Sequence, residues 1–399
     1  MYQRIKYDFA QELVKIKSSG LFKDERTILS AQKPEIRVEY PAGSDPRNVL
    51  NFCANNYLGL ANHPKILEAA RKALDEHGFG LASVRFICGT QDLHKILEQK
   101  IAEFFHTEDT ILYSSCFDAN GGLFETLLGV EDAVVTDALN HASIIDGIRL
   151  CKAKRFIYDH ADMASLEKAL KKAREGMDVW DGPGLDKEPV PARNIMIITD
   201  GVFSMDGDVA DIRRIVELGN TYDTLVVVDD SHGTGVLGAT GRGSVEEAGM
   251  LGEVDIITST LGKALGGAAG GFVAGSAALC DYLTQRARPQ LFTNALPATV
   301  AASALAAIQV LEAEPERVTR LRENARYFRQ RLQDLHFQPL PGDTPIVPVI
   351  LGETAAAIRM SERLLDEGVF VTGFGFPVVP QGAARVRCQL SADHTREDL

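Results

Sequence analysis

Short apolar runs alternate with polar, glycine-punctuated turns along most of the chain. Runs at 110–115, 133–136, 155–158, 194–199, 224–228 and 255–260 are rich in β-branched or aromatic residues. Before and between them, 92–105, 163–174 and 211–222 carry charged residues at helical spacing. Strands that are apolar throughout, alternating with helices, predict a mostly parallel sheet covered on both faces. The fold class expected is therefore α/β. Before this series, Ile5, Phe9, Leu13 and Ile16 predict an amphipathic helix that stops at Gly20. A short strand at 48–52 follows, and His63-Pro64 opens a helix through about residue 76. Residues 178–193 combine Gly, Pro and charge with the single tryptophan, Trp180, and read as a surface loop.

From about residue 290 the texture changes. Residues 298–313 form an alanine-rich helix pattern and 316–335 a long charged one. Strand patterns follow at 344–349 and 369–371, and 384–390 alternates like an edge strand. The expected division is an N-terminal arm and linker over 1–55, a large domain over 56–290, and a smaller α+β domain over 291–399.

In open α/β sheets, ligands bind beyond the carboxyl ends of the strands. Five polar clusters fall at such ends: 114–117, Asn140-His141, Ser204, 229–232 and 260–263. The first joins a strand to a helix start through Ser-Ser-Cys-Phe. This geometry aims backbone amides and a helix dipole at an anion, although a serine-capped turn needs no ligand. The last ends a buried strand in Gly262-Lys263, with glycines leaving room around the amine. A lysine so placed suits a Schiff base to a carbonyl cofactor, while an ordinary loop lysine is the simpler alternative. GTGVLG at 233–238 matches a dinucleotide fingerprint. However, its acidic pair precedes the glycines and no helix pattern opens on them.

Composition narrows the classes. Hydrophobic residues make up 45% and charged residues 24%, an ordinary globular mix. A net charge of −13 argues against nucleic acid or anionic membrane as partner. No apolar run approaches a membrane span, and the N-terminus lacks the apolar block of a signal peptide. Six scattered cysteines form no CxxC, so reduced thiols in a cytoplasmic enzyme are expected. The nine histidines include no pair at metal-ligand spacing.

The strand-end residues supply each part that pyridoxal phosphate (PLP) requires. Lys263 offers the amine, and Asp229 a carboxylate for the pyridine nitrogen. His141 offers a flat partner for the ring, and His232 or Ser204 a partner for its hydroxyl. The Cys116 and Phe117 amides with Thr260 suit the phosphate, and Arg387 suits a substrate carboxylate. Taken singly, Asp229 caps a turn, His141 is a core histidine and Arg387 an edge-strand charge.

The sequence also resembles the α-oxoamine synthases over nearly its whole length. The shared motifs are NNYLGL (55–60), SSCFDANGG (114–122), DALNHASIIDG (137–147), TDGVFSMDGD (199–208), VDDSHGTGVLG (228–238) and TLGKALGG (260–267). FCANNYLGLANHP, SVRFICGTQ, RLCKAKR and TGFGFPVVPQGAARVR carry a closer resemblance to members that join glycine to acetyl-CoA. The resemblance implies a fold-type I PLP-dependent transferase. It makes Lys263 the Schiff-base lysine and the base for the glycine α-proton. Asp229, His141, His232, Ser204, Cys116, Phe117 and Thr260 take the cofactor roles given above. It adds Thr293 and Asn294 as contacts to the phosphate of a neighbouring subunit's cofactor, hence a homodimer with shared sites. Asn55 joins Arg387 at the substrate carboxylate. The implied product is 2-amino-3-oxobutanoate, and the reverse reaction would complete threonine breakdown. Another α-oxoamine synthase, such as 8-amino-7-oxononanoate synthase, is the alternative. The family ends with one further helix, so a chain lacking that helix is expected.

Overall fold

The apolar runs become strands of one seven-stranded sheet. Its order is Asp109–Tyr113, Gly271–Gly275, Ile256–Thr260, Leu225–Asp229, Ile195–Asp200, Ala133–Asp137 and Lys154–Tyr158. This computed structural model describes residues 2–19, 21–22, 24–176 and 190–399. Residues 178–189 of the expected surface loop, Trp180 among them, lie outside the described residues.

The five strands from Ile256–Thr260 to Lys154–Tyr158 run parallel, so the expected mostly parallel sheet is present. Ile197, Ile198, Val227 and Val228 are completely buried, the condition that favours unbroken apolar strands over alternating ones. Helix starts are set locally. Asp162 accepts hydrogen bonds from the Ala164 and Ser165 amides, and Asp211 from the Arg214 amide. These caps satisfy first-turn donors that have no intrahelical acceptor.

One strand was not legible in the sequence. Gly271–Gly275 runs antiparallel between Ile256–Thr260 and Asp109–Tyr113. A Cβ on Gly271 would come within 2.2 Å of the Cys116 amide nitrogen. That glycine therefore admits a backbone approach.

The chain divides into two compact units. The unit just described comprises Leu60–Ser204 and Asp208–Thr319. The other comprises Met1–Gly59, Met205–Gly207 and Arg320–Leu399. In it, strands Glu35–Glu39 and Arg47–Asn51 pair antiparallel, and Val369–Phe370 adds parallel to Arg47–Asn51. Ile36, Val38, Val49, Leu365 and Phe370 pack there. A second sheet has Ala384–Gln389 between Ile346–Gly352 and Thr372–Phe374. The strand expected at an edge is thus the middle one. Its alternation of Arg and apolar residues misled because Arg385 is buried, bound to Asp206 and to the Met205 carbonyl. Helix Tyr2–Ser18 forms as expected and buries none of its residues. Among the described residues, no helix is long and apolar enough to cross a membrane.

Candidate active site

The strand ends converge on Asp229, the last residue of Leu225–Asp229 and 3% exposed. Asn120 Nδ2 donates to Asp229 Oδ2 at 2.6 Å, and the Ser231 amide donates to Oδ1 at 3.0 Å. Asn120 lies one turn into helix Cys116–Leu127 and is wholly buried. Its amide orientation is fixed, because Thr258 Oγ1 donates to its Oδ1 at 3.0 Å. The remaining Nδ2 hydrogen reaches Ser143 Oγ at 2.9 Å. Ser143 continues the chain, since its hydroxyl lies 2.8 Å and its amide 3.2 Å from His141 Nδ1. With Nδ1 accepting, the proton of the neutral ring sits on Nε2. Burial holds His141 below the ordinary imidazole pKa, opposed by the Asp229 charge. A buried carboxylate and a neutral, outward-facing imidazole are thereby tied together by Asn120 and Ser143.

The same edge carries the helix that follows Asp109–Tyr113. Ser115 caps it, its side chain accepting from the Asp118 amide and its carbonyl from the Ala119 amide. Cys116 and Phe117 occupy the first turn, whose amides lack intrahelical acceptors and face the positive end of the helix dipole. The Cys116 thiol lies 3.8 Å from Asp229 Oδ2 and 3.3 Å from Ser231 Oγ. Burial and the Asp229 charge push its pKa well up, so it remains a thiol.

Lys263 follows Ile256–Thr260 in the loop after that strand. Its charge opposes the rise that burial imposes on Cys116 and Asp200 and adds to the lowering that burial imposes on His141, so it acts on all three. Thr260 Oγ1 donates to the Gly270 carbonyl at 3.2 Å and accepts from the Gly262 amide at 3.0 Å. His232 is buried in the turn after Asp229, and Ser204 follows Ile195–Asp200. The structure thus gathers Lys263, Asp229, His141 and Cys116 at one sheet edge, with Phe117, Thr260, His232 and Ser204 on the adjoining strand-end segments.

Thr293 and Asn294 lie elsewhere in this unit, just past helix Arg288–Phe292. Asn294 forms a β-bridge with Val84, and the Ala295 amide donates to the Ser83 carbonyl. In the other unit, Asn55 and Arg387 meet through shared neighbours. Tyr57 donates from its hydroxyl to Asn55 Oδ1 at 3.4 Å. The Gln389 amide, with its oxygen turned to Arg387, accepts from Nε and Nη2 at 3.1 Å. Arg387 also stacks over Phe374 with 4.7 Å between guanidinium and ring centre.

The glycine fingerprint has a different use. Gly233 abuts the buried Asp230, since a Cβ there would lie 2.0 Å from Asp230 Oδ1. Burial raises the Asp230 carboxyl to about 7, against hydrogen bonds from Ser244 and Thr234. Gly233 thus packs on one acid and Gly238 on another, Glu246, and the next helix is the short Ser244–Glu247. No dinucleotide pyrophosphate site is built.

Asn120, Asp200 and His160 escaped the sequence reading. Asp200 Oδ2 accepts from the His141 amide at 2.7 Å, and burial with the Asp229 charge pushes its pKa well up. For Asn120 a signal existed: a polar residue four positions after Cys116 on a helix of small and apolar residues.

Chemically, the cluster fits PLP. A lysine amine, a buried carboxylate held as an acceptor, a neutral imidazole and first-turn amides match its aldehyde, ring nitrogen, ring face and phosphate.

The family model for aminotransferase class I and II matches residues 47–399. A 2-amino-3-ketobutyrate coenzyme A ligase of Salmonella typhimurium is 53% identical over 388 residues, covering 97% of this chain and 93% of that protein. An 8-amino-7-oxononanoate synthase of Symbiobacterium thermophilum is 46% identical, covering 98% and 94%. Among solved structures, a serine palmitoyltransferase from S. paucimobilis with a bound PLP–myriocin aldimine superposes with a TM-score of 0.86. It is 29% identical, and the match covers 98% of this chain and 94% of that one. The chain therefore belongs to the aminotransferase class I and II family, as a PLP-dependent member of its α-oxoamine synthase branch.

Proposed function

We propose that the protein condenses glycine with acetyl-CoA to give 2-amino-3-oxobutanoate and CoA. The meeting of Lys263, Asp229 and His141 at one strand-end edge is the observation that carries the reaction class. Identity of 53% to a 2-amino-3-ketobutyrate coenzyme A ligase supports the choice of substrates. PLP, when bound, supplies a carbonyl for an amine and an electron-poor ring that accepts the electron pair left at Cα.

Lys263 holds the cofactor before substrate arrives. Its amine, when not holding the cofactor, would be the base for the α-proton of glycine. Asp229 keeps a proton on the ring nitrogen, and Asn120 holds that carboxylate in place. His141, its ring held by Ser143, would stack on the cofactor as a neutral imidazole. His232 and Ser204 take the ring hydroxyl, and the Cys116 and Phe117 amides with Thr260 take the phosphate. Cα then bonds to the acetyl carbonyl carbon, the C–S bond breaks, and the thiolate leaves as CoA. Arg387, with Asn55, is suited to a carboxylate through two parallel N–H donors. Replacing it should cost about ten- to a hundredfold in KM for glycine, the worth of a charge-assisted pair. Steady-state kinetics of Arg387→Ala at saturating acetyl-CoA measure this, and an unchanged KM removes Arg387 from the substrate site.

We propose a homodimer as the working form. Phe86, Ile87 and Phe292 are each more than 60% exposed, a set of apolar side chains that a second copy would cover. Helix Arg288–Phe292 leads directly into Thr293-Asn294, which fits their role toward a neighbouring subunit's cofactor.

Acyl choice is tested by CoA release. Glycine with acetyl-CoA should give the highest kcat/KM, exceeding succinyl- and pimeloyl-CoA by about tenfold or more, the worth of a few mismatched methylenes. A preference for pimeloyl-CoA would shift the assignment to an 8-amino-7-oxononanoate synthase.

A further inference from the structure

His160 follows strand Lys154–Tyr158 and touches two carboxylates at once. Its Nδ1 lies 2.9 Å from Asp137 Oδ1, and its Nε2 lies 2.9 Å from Asp208 Oδ2. Phe203 packs edge-on to the ring, with centroids 4.4 Å apart. Two acceptors on opposite nitrogens require both nitrogens to donate, so the ring is an imidazolium.

Each carboxylate belongs to a different turn of the site. Asp137 ends Ala133–Asp137 and shapes the turn before His141. Its Oδ1 accepts from the Leu139 amide at 2.8 Å, its carbonyl from the Asn140 amide at 3.4 Å, and its Oδ2 from the Ala161 amide at 3.0 Å. Asp208 closes the turn that carries Ser204. Its carbonyl accepts from the Phe203 amide at 3.0 Å, and Val202 bridges Val209 beside it. His160 thus joins the segment that carries His141 to the segment that carries Ser204.

We infer that His160 is a positioning residue, an imidazolium clasp that locks the His141 turn to the Ser204 turn and so sets both against the cofactor ring. This rests on the roles proposed for His141 and Ser204. Asp137, at the end of its strand, and Asp208, in the neighbouring turn, are the charged groups that face the imidazolium. Together they raise its pKa from 6.5 to about 10. A raised histidine pKa stabilises the fold fully below the unfolded value, and that stability is lost as pH rises through the folded value. The clasp is therefore intact near pH 6.5 and released on passing about pH 10.

The test uses holoenzyme of His160→Gln, Asp208→Asn and the double variant, with Ser204→Ala as reference. The readouts are the pH midpoint of the visible band of lysine-bound cofactor and amide exchange over 137–141 and 202–204. Each single variant should move the midpoint by about half a pH unit or more in the same direction. The double variant should move it no further, as expected for two ends of one interaction. Exchange in both turns should rise together by about tenfold, and the difference from the native protein should vanish above about pH 10. Asp208→Asn keeps the test open if His160→Gln misfolds, since Asp208 is partly exposed. Additive shifts, or faster exchange in one turn alone, overturn the clasp. If Ser204→Ala moves the midpoint and neither clasp variant does, the clasp fails while the Ser204 role stands. If Ser204→Ala leaves the midpoint unmoved, that role fails and the clasp fails with it.

Discussion

Lys263→Ala is expected to lower kcat by roughly 10³-fold or more, near the upper range for loss of a positioned general base. Two functions disappear together. The amine that holds the cofactor goes, and so does the base held near Cα. No neighbour substitutes for either. Cys116 stays a buried thiol, and His141 already accepts hydrogen bonds at Nδ1. Because Lys263 follows a strand and lies in a loop, the fold should survive. The purified variant should bind the cofactor without the visible absorption band of the lysine-bound form. A band at the native wavelength, or kcat within tenfold of native, would remove Lys263 from its central place.

Asp229→Asn is expected to cost about 10²–10³ in kcat, as for other preorganised electrostatic groups. Asparagine has nearly the same shape, so the Ser231 amide keeps an acceptor, while the new NH2 group faces Asn120 Nδ2, donor against donor, at about 1–3 kcal/mol. What is lost is the charge that holds a proton on the ring nitrogen. The change should also show in the neighbours. The Asp229 charge raises Asp200 and His141, so both should titrate at lower pH in the variant. Alanine would mix this effect with a packing defect. It leaves Asn120 Nδ2 and the Ser231 amide without their acceptor, at about 1–3 kcal/mol for each buried group. The informative result is therefore a folded Asp229→Asn variant, its thermal midpoint lowered by no more than one unpaired buried donor explains, beside a collapsed kcat. A variant that keeps more than about a tenth of native kcat would show that the electrostatic argument assigns Asp229 too much.

Much of the large sheet was legible in the chain because its strands are buried on both faces. Such strands need unbroken β-branched runs, and these runs end in turns that stand out as polar clusters. Lys263, Asp229 and His141 could each be read from a position at a strand end, and the gathering at one edge follows from parallel topology alone. The glycines were harder to interpret. A glycine pattern records that a Cβ is excluded, without saying by what. Only the fold reveals that Gly271 meets the Cys116 backbone and that Gly233 meets Asp230.

What the sequence determined by itself was local: strand and helix order, the residue types at strand ends, and a family-wide set of motifs. These depend on neighbours a few positions apart, where propensity, periodicity and capping operate. Tertiary structure decided the pairings across long separations. Asn120 reaches Asp229 across 109 positions, and His160 reaches Asp208 across 48. Ala384–Gln389 became a central strand because Ile346–Gly352 and Thr372–Phe374 flank it. Such contacts are set by sheet order and by the entropy of closing long loops, quantities that no local pattern carries. For Lys263, the sequence supplied an amine on a loop, and the fold brought its charge within reach of Cys116, His141 and Asp200.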